Sequence, residues 1–290
     1  MTSPTVITII SLYLYTNISV IAQTSTDDEI KYFLVNIIGV DGHICVGTHI
    51  TIHWILTTGT CAIRVANDTD RIKLVIGSNT SNPAHGAPRY AKQVVLHHNY
   101  RPGDKVSNLG LIRITRPFDA RDHKEWYENG EYDGAKVAET KPNDENCVLY
   151  GWRHIAFYRD ANLNSVLMRS PFTMIPSDEC KSKLIQARDE VQGFNEKQMF
   201  CGKDRLCIAE DGAPLFCENE VYGVLSNTHC TVAVFEKVTY YSHWIRTVIY
   251  YAELRGGSAR LVGGYLLRCR NAYVIFINVY LEASNYMKIL

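Results

Sequence analysis

The chain has 290 residues, of which 46% are hydrophobic, and this is enough apolar surface to bury a full core in one domain. Its 30 Lys and Arg residues balance 30 Asp and Glu residues. Because no summed field attracts nucleic acid or an anionic membrane, we expect neither as a partner.

The N-terminal residues predict a secretory signal peptide over residues 1–22. Residues 6–15 are mostly apolar, and the small residue Ala22 suits cleavage after it. No Lys or Arg precedes the apolar run, and Asn17 and Ser19 interrupt it, so an uncleaved N-terminus is the alternative. Nine cysteines independently favour an extracellular location, because disulfides persist in oxidising compartments.

Two short patterns concern modification and metal binding. Asn67 and Asn79 begin tripeptides of the N-glycosylation type. No short CxxC pair predicts a zinc or redox site, and we expect neither a metal nor another cofactor.

Short segments rich in β-branched and aromatic residues recur between turn-forming clusters, and we predict that they form strands. They are residues 32–40, 53–58, 72–77, 92–97, 109–114, 147–152, 166–175, 213–217, 221–225 and 231–238. Helices are predicted near residues 177–184 and 240–254. The pattern is typical of an all-β barrel or sandwich, and the polar residues 116–146 are predicted to link two barrels.

The segment from Cys45 to Cys61, CVGTHITIHWILTTGTC, resembles without a gap the motif C-G-G-S-L-I-S-x-x-W-V-L-T-A-A-H-C of trypsin-like serine proteases. Further matches follow in family order: SNLGLIRI from Ser107, CVLYGW from Cys147, MFC from Met199, CIAEDGAPLFC from Cys207, YGVLS from Tyr222, VFEKV from Val234, and Trp244-Ile245. The resemblance implies an all-β, chymotrypsin-like fold over residues 23–254. This fold has two six-stranded antiparallel barrels, a C-terminal helix and an active site in the cleft between the barrels.

The resemblance also implies a disulfide pattern. The pairs are Cys45 with Cys61, Cys147 with Cys217, Cys180 with Cys201, and Cys207 with Cys230. Cys269 is left over.

At the three positions where the family has its catalytic triad, this chain has other residue types. Thr60 stands in place of the imidazole base, Asn108 in place of the carboxylate that orients it, and Asp211 in place of the serine nucleophile. Thr60 has no group that titrates near pH 7, and a charged Asp211 would repel the developing oxyanion. We therefore expect no protease activity.

Two residues beside the nucleophile position have changed as well. Ala209 replaces the glycine whose N–H helps to form the oxyanion hole, and its Cβ restricts the backbone. Glu210 replaces the aspartate that pairs with a new N-terminus in activated family members, and no I-V-G-G precedes Cys45. With no ammonium partner visible for Glu210, we expect a zymogen-like loop, and we interpret Glu210 and Asp211 as a solvated acidic turn.

The specificity pocket and a histidine pair leave further alternatives. Arg205 lies where trypsins have an aspartate, while Asn227 and Thr228 replace a Trp-Gly wall. A pocket for acidic groups is one interpretation, and an Arg205 turned to solvent is the favoured one. The pair His97-His98 is interpreted as structural, at the end of a strand, because no carboxylate lies at ligand spacing.

Residues 255–290 lie beyond the family pattern. The apolar residues 272–281 are too few to span a bilayer. They form either an extra strand or helix on the barrel, or a segment that is absent from the mature protein.

These observations predict a secreted, non-catalytic protease homologue that binds or regulates an extracellular protein, such as a protease or an inhibitor. A weakly active serine-type endopeptidase with a non-standard site is the alternative from a different class. The product of a decaying gene is a third interpretation.

Overall fold

Two β-sheets, three helices and a C-terminal hairpin are seen in a computed structural model of the chain. The structure describes residues 30–81, 88–103, 105–118, 134–142, 147–153, 166–186, 194–204, 210–229, 232–254, 266–269 and 272–276. The predicted signal peptide lies outside the described residues.

Six strands of the first half form one antiparallel sheet in the order β5-β6-β3-β2-β1-β4. They are β1 (Leu34–Gly39), β2 (Gly42–Thr51), β3 (Trp54–Thr57), β4 (Lys73–Val75), β5 (Ala91–Leu96) and β6 (Gly110–Ile114). The backbones of Leu74 and Arg89 exchange two hydrogen bonds of 2.9 Å, which join β4 to the residues before β5 and curl the sheet into a barrel. Its interior is apolar and includes Ile37, Ile55 and Ile112.

Six strands of the second half form a closed barrel in the order β10-β11-β12-β9-β8-β7. They are β7 (Cys147–Arg153), β8 (Val166–Ile175), β9 (Met199–Asp204), β10 (Pro214–Cys217), β11 (Glu220–His229) and β12 (Val232–Lys237). Phe172 and Phe200 pack against Phe235 at centroid distances of 4.9 and 5.3 Å inside this barrel. The predicted two-barrel fold is confirmed, and the polar segment after β6 leads from the first barrel to the second.

Three helices accompany the barrels: α1 (Gly59–Asn67), α2 (Ser177–Gln186) and α3 (Val238–Leu254). The strand and helix predictions did not include α1, which begins inside the first cysteine motif at the N-cap Thr58. The apolar face of α3, with Trp244, Ile245 and Val248, is buried. None of the described helices is long and apolar enough to cross a membrane.

Two strands beyond α3 extend the first sheet. β13 (Leu266–Cys269) and β14 (Ala272–Phe276) form a hairpin, and β14 pairs with β5 from Val94 to Leu96. Of the two alternatives for an ordered tail, the structure has the strand. Its pairing with β5 is parallel, unlike the pairings within the barrels.

Three disulfides lie among the described residues: Cys45–Cys61, Cys147–Cys217 and Cys180–Cys201. Each is a pair that the family resemblance implies. The fourth pair, Cys207 with Cys230, lies outside the described residues and stays a prediction.

Candidate active site

The candidate site lies where the two barrels meet, and both belong to the compact unit Lys31–Leu290. The amide of Val46 on β2 donates to the carbonyl oxygen of Asp211, which precedes β10, at 2.9 Å. The amide of Asn108, just before β6, donates to Glu236 Oε1 on β12 at 2.9 Å. Contacts from both barrels therefore fix the backbone at two of the three triad positions.

Thr60 occupies the first turn of α1, whose start is fixed by a side-chain cap. The hydroxyl oxygen of Thr58 accepts from the amide of Cys61 at 3.2 Å. This places the amide and hydroxyl of Thr60 at 2.9 and 3.1 Å from Asn108 Oδ1, to which both donate. The structure thus brings the predicted base and orienting positions together, joined through a neutral amide and a hydroxyl.

The phenol of Tyr100 packs beside Thr60. Its hydroxyl lies 3.2 Å from Thr60 Oγ1, and the ring is almost fully buried. Gly59 permits this approach, because a Cβ at that position would lie 2.7 Å from Tyr100 Cδ1. Sequence reasoning missed Tyr100, since it lies 40 residues from Thr60 along the chain.

Asn108 is buried and its amide group is held in one orientation. Its Nδ2 donates to Ser226 Oγ at 3.0 Å, so Oδ1 faces Thr60. Glu236 lies directly behind, accepting the Asn108 amide and the Tyr241 hydroxyl. Glu236 was not among the predicted site residues, although a glutamate in the apolar strand VAVFEK indicates a buried charge.

Asp211 is also largely buried. Burial raises the pKa of its carboxyl to about 6, while a hydrogen bond with Thr58 and the charge of Arg64 oppose the rise. Within the described part of the chain, Oδ1 is buried and has no hydrogen-bond partner. The prediction of a solvated acidic turn is therefore wrong for Asp211, because this turn packs against β2 and α1.

Glu210 is contacted by one side chain and one backbone amide among the described residues. Glu210 Oε2 accepts from the amide of Trp152 at 3.0 Å and lies 3.3 Å from Nε2 of His43, at ion-pair distance. Asn36 Nδ2 donates to the Ser81 carbonyl at 3.0 Å, so the amide oxygen of Asn36 faces His43 Nδ1 and accepts from it. The amide of Trp152 and the imidazole of His43 thus hold Glu210, and the zymogen-like state of the loop stays a prediction.

Several predicted positions fall on undescribed parts of the chain. Arg205 and Ala209 lie outside the described residues, so both interpretations of Arg205 and the state of the oxyanion hole stay predictions. Asn227 and Thr228 lie in β11, paired with Val234 and Ala233 of β12.

The histidine pair is placed as the structural interpretation requires. His97 directly follows β5 and is buried against the rings of Tyr241 and Trp244, each at a centroid distance of 5.0 Å. Burial, with a smaller effect of His98, lowers the pKa of His97 to about 3. A neutral, packed imidazole of this kind supports the core.

Two further predictions concern surface and metal chemistry. The asparagines of both glycosylation patterns, Asn67 and Asn79, are exposed. Among the described residues, one His/Cys/Asp/Glu cluster has ligand atoms within 4.8 Å of one another, namely Cys45, Cys61 and Asp211. Its two sulfurs already form a disulfide, so the cluster offers no thiolates to an ion.

Comparison with known proteins identifies the family. A family model described as Trypsin matches residues 22–245. The chain belongs to the trypsin family. It is 25% identical over 215 residues to the transmembrane protease serine 11C of Mus musculus, covering 70% of this chain and 47% of that protein. It is 24% identical over 235 residues to the atrial natriuretic peptide-converting enzyme of Rattus norvegicus, covering 72% and 19%. The chain thus spans less than half the length of these relatives.

Solved structures agree on the fold. Neuropsin, a serine protease expressed in the limbic system of mouse brain, has a TM-score of 0.59 at 17% identity, covering 77% of this chain and 96% of that one. The scabies mite inactivated protease paralogue S-D1 has a TM-score of 0.62 at 18% identity, covering 77% and 94%. At these identities the likeness establishes the trypsin fold alone.

Proposed function

We propose that this trypsin-family protein is extracellular and non-catalytic, and that it acts by binding a protein partner. The observation that carries the proposal is the residue at the base position. Thr60 has no titratable group, and its amide and hydroxyl are both engaged by Asn108 Oδ1. Acyl transfer on this fold needs a group there that takes a proton from the nucleophile and returns it to the leaving group.

The nucleophile position supports the same proposal. Asp211 is held by its backbone against Val46 and by its side chain near Thr58, at the edge of β2 and α1. As a nucleophile, the carboxylate of Asp211 would not need a base to remove a proton. Its negative charge at this position would, however, disfavour formation of the oxyanion. An acyl group on Asp211 would also lack a base at position 60 to activate water for its release.

Conservation of the scaffold supports a binding role. The described residues form both barrels, three disulfides and contacts between the barrels, while the triad positions hold Thr60, Asn108 and Asp211. Disulfides favour an oxidising, extracellular compartment, where protein partners such as a protease or an inhibitor are available.

Hydrolysis by the purified chain and its Asp211→Ala variant tests the non-catalytic part of this proposal. Substrates are casein and a fluorogenic peptide library with every side chain at the scissile position. We expect both proteins to match the buffer blank. Turnover by the native chain that Asp211→Ala lacks would support the weakly active endopeptidase instead. Equal turnover by both, with none in a mock purification that lacks the chain, would instead support an endopeptidase whose site does not use Asp211.

A binding measurement tests the other part. The native chain is immobilised and exposed to extracellular fluid of its source, with the disulfide-reduced chain as control. We expect a protein that binds saturably to the native chain and not to the reduced one. Equal retention on both surfaces would contradict a folded binding surface.

A further inference from the structure

A row of polar side chains crosses the outer face of the first sheet. Trp54 on β3 lies opposite Arg113 on β6, and Arg113 lies opposite Gln93 on β5. The side chains of directly opposed residues stand next to one another on the same face of a sheet. The neighbours of Arg113 along β6, Ile112 and Ile114, belong to the barrel core, so this row faces away from that core.

The row is buried although it carries a charge. Trp54 is fully buried, and the side chains of Arg113 and Gln93 are each 9% exposed. The guanidinium of Arg113 lies beside the indole of Trp54, with Cζ 6.0 Å from the ring centroid. Within the described part of the chain, Nε and Nη1 of Arg113 and Nε1 of Trp54 are buried and have no hydrogen-bond partner. Three nitrogen donors, two of them on a cation, thus lack an acceptor.

Helix α3 runs along this outer face. Near the start of the helix, Trp244 packs on His97, which directly follows β5, at a centroid distance of 5.0 Å. In its last turn, Ala252 is buried, and the charge of Glu253 acts on His53, the residue before β3. The C-terminal end of α3 therefore lies near the row.

Positive charge predominates around the row. Burial and the charge of Arg113 lower the pKa of His53; Lys92 adds to this effect and Glu253 opposes it. Lys92 occupies a β-bulge of β5 beside Gln93, a feature that re-aims side chains. Glu253 is exposed, and its carboxylate accepts from neither Nε nor Nη1 of Arg113. Among the residues that the structure describes, Arg113 therefore has no counter-ion.

A buried guanidinium of this kind requires an acceptor. Burying an N–H group without a hydrogen bond is costly, and the cost is larger when the group is charged. A water molecule accepts hydrogen bonds but does not neutralise the charge. An oxyanion does both, because its hydrogen bonds with a guanidinium are charge-assisted. The indole N–H of Trp54 is a donor only and suits the same acceptor.

We propose that Arg113, Trp54 and Gln93 form a binding site for one small oxyanion from solution, of the sulfate or carboxylate class. Arg113 supplies the charge and donates from its guanidinium, Trp54 donates from Nε1, and the carboxamide of Gln93 is the next donor in the row. Because the row is buried, it admits a single ion and not a charged polymer. The bound ion neutralises a buried charge near the end of α3 and so stabilises the fold. The site goes beyond the proposed function, since it uses no triad position.

Isothermal titration calorimetry with sulfate and, separately, with acetate tests the site at neutral pH and constant ionic strength. We expect saturable binding of one ion per chain for at least one of the two probes, and none for Arg113→Gln. Trp54→Phe keeps an aromatic ring but loses the indole N–H, so it should bind about tenfold more weakly. Arg246→Gln is the matched control, because Arg246 lies on the same helix, is 58% exposed and pairs with Glu139. This variant should bind as the native chain does.

Urea unfolding of the same four proteins provides a second measurement. For a probe that binds only the folded state, the unfolding constant of the native chain falls in proportion to 1 + [probe]/Kd. That of Arg113→Gln should show only the general salt effect. The proposal is overturned if neither probe binds saturably to the native chain, or if Arg113→Gln binds as tightly as the native chain. If Arg113→Gln does not fold, Trp54→Phe decides, since undiminished affinity in that variant would rule out the site.

Discussion

At the scale of single residues, the turn after Asp211 depends on a glycine. Gly212 has a φ of 88°, and a Cβ there would lie 2.0 Å from the carbonyl oxygen of Val46. That oxygen already accepts from the Thr57 hydroxyl at 2.7 Å. The close approach of the two barrels at this point therefore excludes a side chain.

We expect Gly212→Ala to lower the free energy of unfolding by about 3 kcal/mol or more, because it adds a steric clash to the cost of the positive φ. Gly42→Ala is the matched control, since Gly42 has a φ of 117° and open space around its Cβ position. There we expect a loss of about 1–2 kcal/mol. Urea unfolding measures both, and equal losses would show that the backbone conformation alone matters.

Some residues of the candidate site lie in a recognisable sequence motif, and others come together only in the folded chain. Thr60, Asn108 and Asp211 could be predicted because each lies in a segment that resembles a motif of the trypsin family. The partners of Glu210 could not, because His43 and Trp152 reach it only when the first barrel closes on the second. Glu236 likewise meets Asn108 only through folding, so their spacing along the chain gave no pattern.

At the scale of elements, the contact between His43 and Glu210 ties β2 to the segment before β10. The two side chains are 8% and 15% exposed, so their interaction is screened far less than that of a surface pair. A buried charge that loses its partner is costly, and the removal of either residue should therefore destabilise the fold.

A double-mutant cycle with His43→Ala and Glu210→Ala should give a coupling energy of about 1–3 kcal/mol in urea unfolding. The control cycle removes Lys203 and Glu179, whose charged atoms are 3.0 Å apart but whose side chains are 52% and 40% exposed. For this pair we expect less than about 1 kcal/mol. Coupling near zero between His43 and Glu210 would mean that Glu210 is not held in the way described above.

Strands were the most predictable elements, because the alternation of β-branched residues and turn clusters is local. The first helix was missed because α1 begins at Gly59, within a motif dominated by small and β-branched residues. An extra strand beyond α3 was only one of the alternatives that the sequence left open, and the hairpin of β13 and β14 was not predicted. The parallel pairing of β14 depends on β5 lying at the edge of the first sheet, which no local sequence pattern predicts.

At the scale of the whole molecule, the contacts between the barrels do not depend on triad chemistry. Trp152 Nε1 donates to the Ser78 carbonyl at 3.2 Å, and the amide of Leu167 donates to the carbonyl of Asn79 at 2.8 Å. Both of these contacts use at least one backbone group, and neither uses a side chain of a triad position. The trypsin fold can therefore persist while its acyl-transfer residues change.

Buried carboxyl and histidine groups should have opposite effects on how the stability of the chain depends on pH. The raised pKa values of Asp211 and Glu236 favour the fold at low pH, and this contribution is lost as pH rises through about 6 and 7. His49 and His97, with pKa values lowered to about 3, contribute stability above pH 6.5 that is lost as pH falls. The contributions of the two pairs oppose each other in mildly acidic solution. The difference in unfolding free energy between a variant and the native chain is therefore more informative than the pH profile of the native chain alone.

The central claim is that no acyl-enzyme forms on this trypsin-family scaffold, and intact-mass measurement tests it most directly. The chain is mixed with peptide esters, quenched in acid within milliseconds to minutes, and weighed, with active trypsin as the positive control. We predict no added acyl group at any time, because Thr60 cannot serve as a base and Asp211 is a buried carboxyl. An adduct of one acyl group per chain that is absent from Asp211→Asn would contradict the account.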